Sequence, residues 1–139
     1  MWETVSAVVQ GNVAIVREAY RAFADGDLET LRSLTTPDFV LRASSATDGA
    51  EHNGPDAMAE VYEAVRERWR DFHLEPLELY ESGDSVLVLG TLVAKGESEG
   101  IASTAGQVWK LKDGKIVSMQ AFLDSESAIR AAGLNHLLT

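Results

Sequence analysis

The hydrophobic period of the chain changes about halfway along its length. Up to Trp69 the apolar residues recur at intervals of three and four, and from Phe72 they alternate. Val16, Ala19, Tyr20 and Phe23 follow Asn12, which predicts a capped amphipathic helix ending at Ala24-Asp25-Gly26. Asp27 stands where it can cap a short second helix, Leu28 to Leu34, stopped by Thr36-Pro37. Phe39 to Ser45 reads as a strand and Ala46 to Asn53 as a mobile loop. Gly54-Pro55-Asp56 opens a third helix whose apolar stripe is Met58, Val61, Tyr62, Val65 and Trp69. Strands are expected at Phe72 to Glu81, Ser85 to Lys95, Ile101 to Lys112 and Lys115 to Asp124. Pro76 must interrupt the first of these or place it at an edge. A last helix, Ser125 to Ala132, has Gly133 as its C-cap. Helices first and antiparallel strands after is an α+β arrangement, with helices laid on one face of a sheet. No repeat, linker or low-complexity tract interrupts it, so residues 1–139 read as one domain.

The hairpin around Lys112-Asp113-Gly114-Lys115 decides which side chains face inward. A two-residue loop, Asp113-Gly114, would put Trp109 on the face of Ser118 and Gln107 on that of Gln120. A three-residue loop, Lys112-Asp113-Gly114, closed by glycine in the left-handed region, moves the register by one. Gln107, Trp109 and Leu111 then share a face with Val117, Met119, Ala121 and Leu123. Val108, Lys110, Ile116, Ser118, Gln120 and Phe122 take the other. Only the second register gathers the apolar residues, so the three-residue loop is expected. It turns Gln107 inward, where an unpaired polar group is costly.

Composition removes several classes of function. Hydrophobic residues at 45% and charged ones at 24% are ordinary for a soluble globular chain. No apolar run approaches ~20 residues, so no membrane span is expected, and Met1-Trp2-Glu3-Thr4 lacks the basic start of a signal peptide. Without cysteine there are no disulfides, thiolate zinc sites or cysteine nucleophiles, and a cytoplasmic location is expected. The net charge of −10 argues against nucleic acid. Arg66, Arg68 and Arg70 are interleaved with Glu63, Glu67 and Asp71 and read as a solvated helix face. His52, His73 and His136 have no metal-ligand spacing, so neither metal nor other cofactor is expected. Gly96-Glu97-Ser98-Glu99-Gly100 matches a serine-hydrolase pattern but joins strand to strand, and it reads as a hairpin loop.

Three stretches carry a resemblance. They are Ala19-Tyr20-Arg21-Ala22-Phe23-Ala24-Asp25-Gly26-Asp27-Leu28-Glu29-Thr30-Leu31, then Asn53-Gly54-Pro55-Asp56-Ala57-Met58, then Gly114-Lys115-Ile116-Val117-Ser118-Met119-Gln120-Ala121-Phe122. Together with the element order they resemble the nuclear-transport-factor-2-like superfamily, in particular its SnoaL-like and ketosteroid-isomerase-like members. The resemblance implies a cone-shaped α+β barrel, a curved mixed or antiparallel sheet wrapped around the long helix, with N-terminal helices and an apolar cavity. It also implies a homodimer through the outer surface of the sheet. The chain has its own reason for that, because Val86 to Val93 is apolar on both faces and helices cover only one. The alternative is that one chain buries both.

The isomerase-like chemistry needs a carboxylate base, a tyrosine and a protonated acid. On this chain those places fall at Arg42, Ala19 and Gln107, and arginine accepts no proton at neutral pH. The aspartate of epoxide-hydrolase relatives falls at about Ala121. What remains is a cavity with unusual polar groups. Arg42, if inward, brings a cation that needs a carboxylate, an anionic ligand or a carbonyl; otherwise strand twist carries it to solvent. Gln107 offers a donor and an acceptor to a ligand, or else bonds to Tyr62 or the backbone. Tyr20, Phe23, Tyr62, Trp109, Met119 and Leu123 are candidate pocket walls, the alternative being core filling. His52, with Asp48 and Glu51 close in sequence, is the candidate general base, or else an exposed loop histidine. The expected function is the binding of a small, largely apolar molecule carrying an oxygen or acidic group. Proton transfer, cyclisation or hydration would then use His52 as base, with Arg42 and Gln107 as oxyanion stabilisers. A non-catalytic carrier and a dimeric interaction module are the alternatives.

Overall fold

The computed structural model describes residues 11–138. In chain order they form α1 (Gly11–Asp25), α2 (Leu28–Leu34), β1 (Thr35–Arg42), β2 (Glu51–Asn53), α3 (Ala57–Arg68), β3 (Asp71–Ser82), β4 (Ser85–Lys95), β5 (Gly100–Lys112), β6 (Lys115–Phe122) and α4 (Ser125–Ala131). A 3₁₀ turn, Asn135–Leu138, follows. The start Met1-Trp2-Glu3-Thr4 lies outside the described residues. Among them, no helix is long and apolar enough to cross a membrane.

The strands lie in the order β2-β1-β6-β5-β4-β3, in a curved sheet that does not close. Neighbours pair antiparallel except β1 and β6, which are parallel. Helices α1 and α3 cover the inner face. Val16, Ala19 and Ala22 of α1 and Met58, Val61 and Val65 of α3 are buried with Val86, Val88 and Trp109 of the sheet. This is the α+β arrangement expected.

Local signals place many boundaries. Gly26, at φ 69°, ends α1. The Asp27 carboxylate accepts the Thr30 N–H at 3.2 Å and the Thr30 hydroxyl at 2.7 Å, starting α2. The Asp124 side chain caps α4 by accepting the Ser127 N–H at 2.7 Å. Gly133 follows α4 at φ 74°, as a C-cap glycine does. The Gly96–Gly100 pattern is the loop between β4 and β5, closed by Gly96 N–H donating to the Glu99 carbonyl at 2.9 Å. β3 is an edge strand, and its register also slips between Pro76 and Glu78, so both ways of placing the proline apply.

Other expectations need correction. Asn12 lies inside α1, which already includes Gly11, so it does not cap the helix. β1 begins at Thr35 rather than Phe39 and contains Pro37, with a register shift between Thr35 and Val40. The segment after β1 is tied down. Ala46 is buried, its carbonyl accepts the Trp69 indole N–H at 2.7 Å, and Arg68 donates to the carbonyls of Ser45, Ala46 and Thr47. Residues 51–53 then pair with β1 as β2. Arg68 is therefore a clamp, with its guanidinium 4.5 Å above the Trp69 ring, and the arginine group is not simply a solvated face.

The hairpin loop is two residues, Asp113 and Gly114, both at positive φ, with Lys112 paired to Lys115. The register then slips at Val117, a bulge in β6, so Leu111 opposes Ile116 while Trp109 opposes Met119 and Gln107 opposes Ala121. The expected three-residue loop is absent, but the bulge supplies the missing one-residue shift. Gln107, Trp109, Met119 and Ala121 share the inner face, and Ile116 joins the inner core instead of the outer face.

The outer face of β4 is also covered within the chain, at least in part. Leu87 and Val108 are buried against Ala128 and Ile129 of α4, with Tyr80, Phe122 and Leu134 around them. Two apolar faces at the start of β4 thus require no second copy, which corrects the argument from sequence. Gly106 makes this docking close: a Cβ there would lie 2.4 Å from that of Ala128.

Candidate functional site

Between the inner face of the sheet and helices α1 and α3 lies a cavity of about 340 Å³. Alternation along the strands supplies most of its wall. Leu41 of β1, Phe72 and Leu74 of β3, Leu92 of β4 and Met119 and Ala121 of β6 all line it. Helix α1 adds Ala19, Tyr20 and Phe23, and α3 adds Met58 and Val61. Arg21 and His73 lie at its edge, and among the described residues no aspartate or glutamate lines it.

The polar centre is Gln107, on the inner face of β5. Its Oε1 accepts two hydrogen bonds, one from the Tyr20 hydroxyl of α1 and one from the Trp109 indole N–H at 3.1 Å. Trp109 reaches it because residues i and i+2 of a strand share a face. The Tyr20 and Trp109 rings also meet edge to face, with centroids 5.6 Å apart. Burial pushes the Tyr20 phenol well above its ordinary pKa, against a smaller opposing effect of the Trp109 N–H. Tyr20 therefore stays protonated and acts as a donor.

Of the residues named from sequence, Gln107, Tyr20, Phe23, Trp109, Met119 and Leu123 line the cavity. The polar partner of Gln107 is Tyr20 and not Tyr62. Tyr62 stands behind the wall, its ring 5.3 Å from that of Phe23 and its hydroxyl accepting from Arg66 at 3.1 Å.

Arg42 is turned away. Leu41 faces the core, so alternation sends Arg42 to the outer face, where it pairs with Glu51 at 3.1 Å and is exposed. The expected cation in the pocket is not there. His52 lies opposite Leu41 on β2 but does not line the cavity. Its Nε2 meets Asp48 at 2.8 Å and its Nδ1 meets Glu60 at 3.0 Å, so neither ring nitrogen is free for a ligand. Burial alone would lower its pKa, but the bonds to Glu60 and Asp48 outweigh that and raise it. His73, between Asp71 and Glu75, is likewise raised by those two carboxylates. Arg21 is held by Glu18, Asp25 and Asp27 at 2.7–3.0 Å. No group of histidine, aspartate and glutamate able to hold a metal occurs among the described residues.

Sequence reading missed Phe72, Leu74, Leu92 and Ala105, together with Ser44 and Thr47 beyond β1. The strand residues carried a signal. Once Trp109 is set inward, pairing of β4 to β5 and of β3 to β4 carries the inner face to Leu92 and Leu74 in turn. Ser44 and Thr47 had none, because only the Trp69 and Arg68 bonds bring that turn to the cavity.

The model of the SnoaL-like domain family matches residues 16–119. Among solved structures, an NTF2-like protein of unknown function from Burkholderia pseudomallei is 26% identical, over 86% of this chain and 95% of its own, at TM-score 0.73. A candidate polyketide cyclase from Sinorhizobium meliloti is 25% identical, over 78% and 93%, at TM-score 0.65. TerC, crystallised with polyporic acid, is 23% identical, over 88% and 98%, at TM-score 0.71. A search of curated proteins found no match.

Proposed function

The chain belongs to the SnoaL-like domain family and has the NTF2-like fold, and from that premise we propose that its cavity binds a small, largely apolar, neutral molecule through one oxygen atom. The observation that carries this reading is Gln107, a side-chain amide set in an otherwise mainly apolar wall. The cavity size falls in the range of small-molecule pockets. With Arg42 outside, Arg21 held by three carboxylates and His73 paired with Asp71 and Glu75, no unpaired cation among the described residues faces the cavity, which favours a neutral ligand over the acidic one the sequence also allowed. Crystallisation of TerC with polyporic acid is in keeping with small-molecule binding on this fold.

Binding without chemistry is the first reading. No carboxylate among the described residues lines the cavity, and both ring nitrogens of His52 are engaged outside it. The second reading is a cyclase, favoured by the likeness to the candidate polyketide cyclase. There the Gln107 amide would polarise a carbonyl while the walls hold a flexible substrate folded. Native mass spectrometry after incubation with a panel of apolar ketones, quinones and lysate extracts separates the two. A compound recovered unchanged at one per chain supports binding, and a bound product of altered structure supports the cyclase. Failure of every compound to bind removes both.

An interaction module finds less support, because the interior contains a cavity and Leu123 is the one exposed large hydrophobic among the described residues. A homodimer belongs to the reading as well. Beyond α4, Thr91 and Val93 on the outer face of β4 stay half-buried and open to a second copy. Light scattering tests this, and a monomer mass at micromolar concentration removes it.

A further inference from the structure

Gln107 has more chemistry than its position on the wall. A glutamine amide can turn over, exchanging an oxygen acceptor for a nitrogen carrying two donors. Here the choice is forced by a neighbour on the same strand. The Trp109 indole N–H only donates, so the atom 3.1 Å from it must be the oxygen. The Tyr20 hydroxyl donates to the same oxygen. Both lone pairs of Oε1 are therefore used. The amide nitrogen donates to no protein group among the described residues. Across the pair, Met119 and Ala121 bring no polar side chain. At this end the amide of Gln107 has its N–H groups to give, while its oxygen is already taken.

Resting on the binding reading above, we propose that Trp109 is an orientation lock on Gln107, and that it makes the site selective for neutral hydrogen-bond acceptors over alcohols. A ketone, enone or quinone oxygen takes an amide N–H and brings no donor of its own that needs an acceptor. An alcohol oxygen accepts the same bond, but its own hydrogen finds the amide oxygen already taken, and a buried donor left unsatisfied is the more expensive outcome. The lock is built into the strand: Trp109 is 4% exposed and its ring is wedged against Tyr20, so the N–H cannot swing away. Trp109 is thus a positioning residue, acting on the ligand through Gln107.

Three probes on one skeleton test this by calorimetry: acetonaphthone, the corresponding naphthylethanol and ethylnaphthalene. The wild-type protein is expected to bind the ketone roughly tenfold or more tightly than the alcohol. In Trp109→Phe the amide is free to turn over, and the ketone-to-alcohol ratio is expected to fall toward one. In Gln107→Leu the ketone loses its advantage over the hydrocarbon. Should Trp109→Phe not fold, the wild-type ratio and Gln107→Leu still decide. Equal binding of ketone and alcohol by the wild type overturns the inference and leaves the cavity reading standing. A folded Trp109→Phe that keeps the wild-type ratio overturns the role of Trp109. Binding of none of the three overturns the cavity reading and this inference with it.

Discussion

Replacing Gly106 by alanine tests how α4 is seated on the sheet. The new Cβ would lie 2.4 Å from the Ala128 Cβ, 3.2 Å from Leu89 Cδ2 and 3.4 Å from the Val88 carbonyl oxygen. Carbon atoms rest at about 3.5–4.0 Å, so something must retreat by more than ~1 Å. The Leu89 methyl can rotate, but the Cβ of Ala128 is fixed to the helix backbone, so α4 itself must move. Overpacking of this kind costs about 1–3 kcal/mol. Against it, alanine restricts the unfolded chain and returns about 0.4–1 kcal/mol. The expected net loss is about 1–2 kcal/mol, or a fall in Tm of about 3–10 °C for a chain this size. Thermal and urea unfolding of Gly106→Ala, Ala128→Gly and the double variant form a cycle. Ala128→Gly alone loses about 1 kcal/mol of helix propensity, and in the double variant the clash is relieved, so the two losses do not add. Because the added methyl points at α4, ligand affinity should change little. A Gly106→Ala protein as stable as wild type, or losses that add within about 0.5 kcal/mol, would refute the reasoning.

Four further outcomes are expected. Gln107→Leu strands the Tyr20 and Trp109 donors together and should cost about 2–3 kcal/mol by urea unfolding, more than a volume change alone. His52 has a folded pKa raised above its ordinary 6.5, so its contribution is complete below about that value and is lost as pH rises through the folded pKa. The urea midpoint should therefore fall as pH rises above 6.5, and His52→Gln should flatten that slope. His73, whose side chain is 42% exposed, has the same sign but is screened, so His73→Gln should change the slope less. Trp69→Phe removes the indole bond to the buried Ala46 carbonyl; a stability loss of about 1–2 kcal/mol and faster amide exchange over residues 44–50 are the expected readouts.

Elements built by local rules were legible along the chain. Asp27 and the spacing to Leu34 define α2 because a cap and a helical turn involve only near neighbours. The valine-rich apolar run in Ser85 to Lys95 gives β4 for the same reason. Arg42 and His52 were not legible as placed, because the short pairing of β1 with β2 brings Glu51 to Arg42 and α3 brings Glu60 to His52. The hairpin shows both sides: its apolar residues set the inner face, while the loop and the bulge at Val117 that deliver that face were a matter of how strands twist and pair.

The amino-acid sequence by itself determined the family fold, the apolar stripe on each element, and the presence of Gln107 and Trp109 two residues apart on one strand face. Tertiary structure decided what those side chains became. Helix α1 brings the Tyr20 hydroxyl to Gln107, while β1 carries Arg42 outward to Glu51. A side chain's polarity is written in its own residue, but whether its donors and acceptors are spent depends on groups brought from distant parts of the chain. That is why the cavity was foreseeable and the saturated oxygen of Gln107, which leaves the amide only its N–H groups to offer, was not.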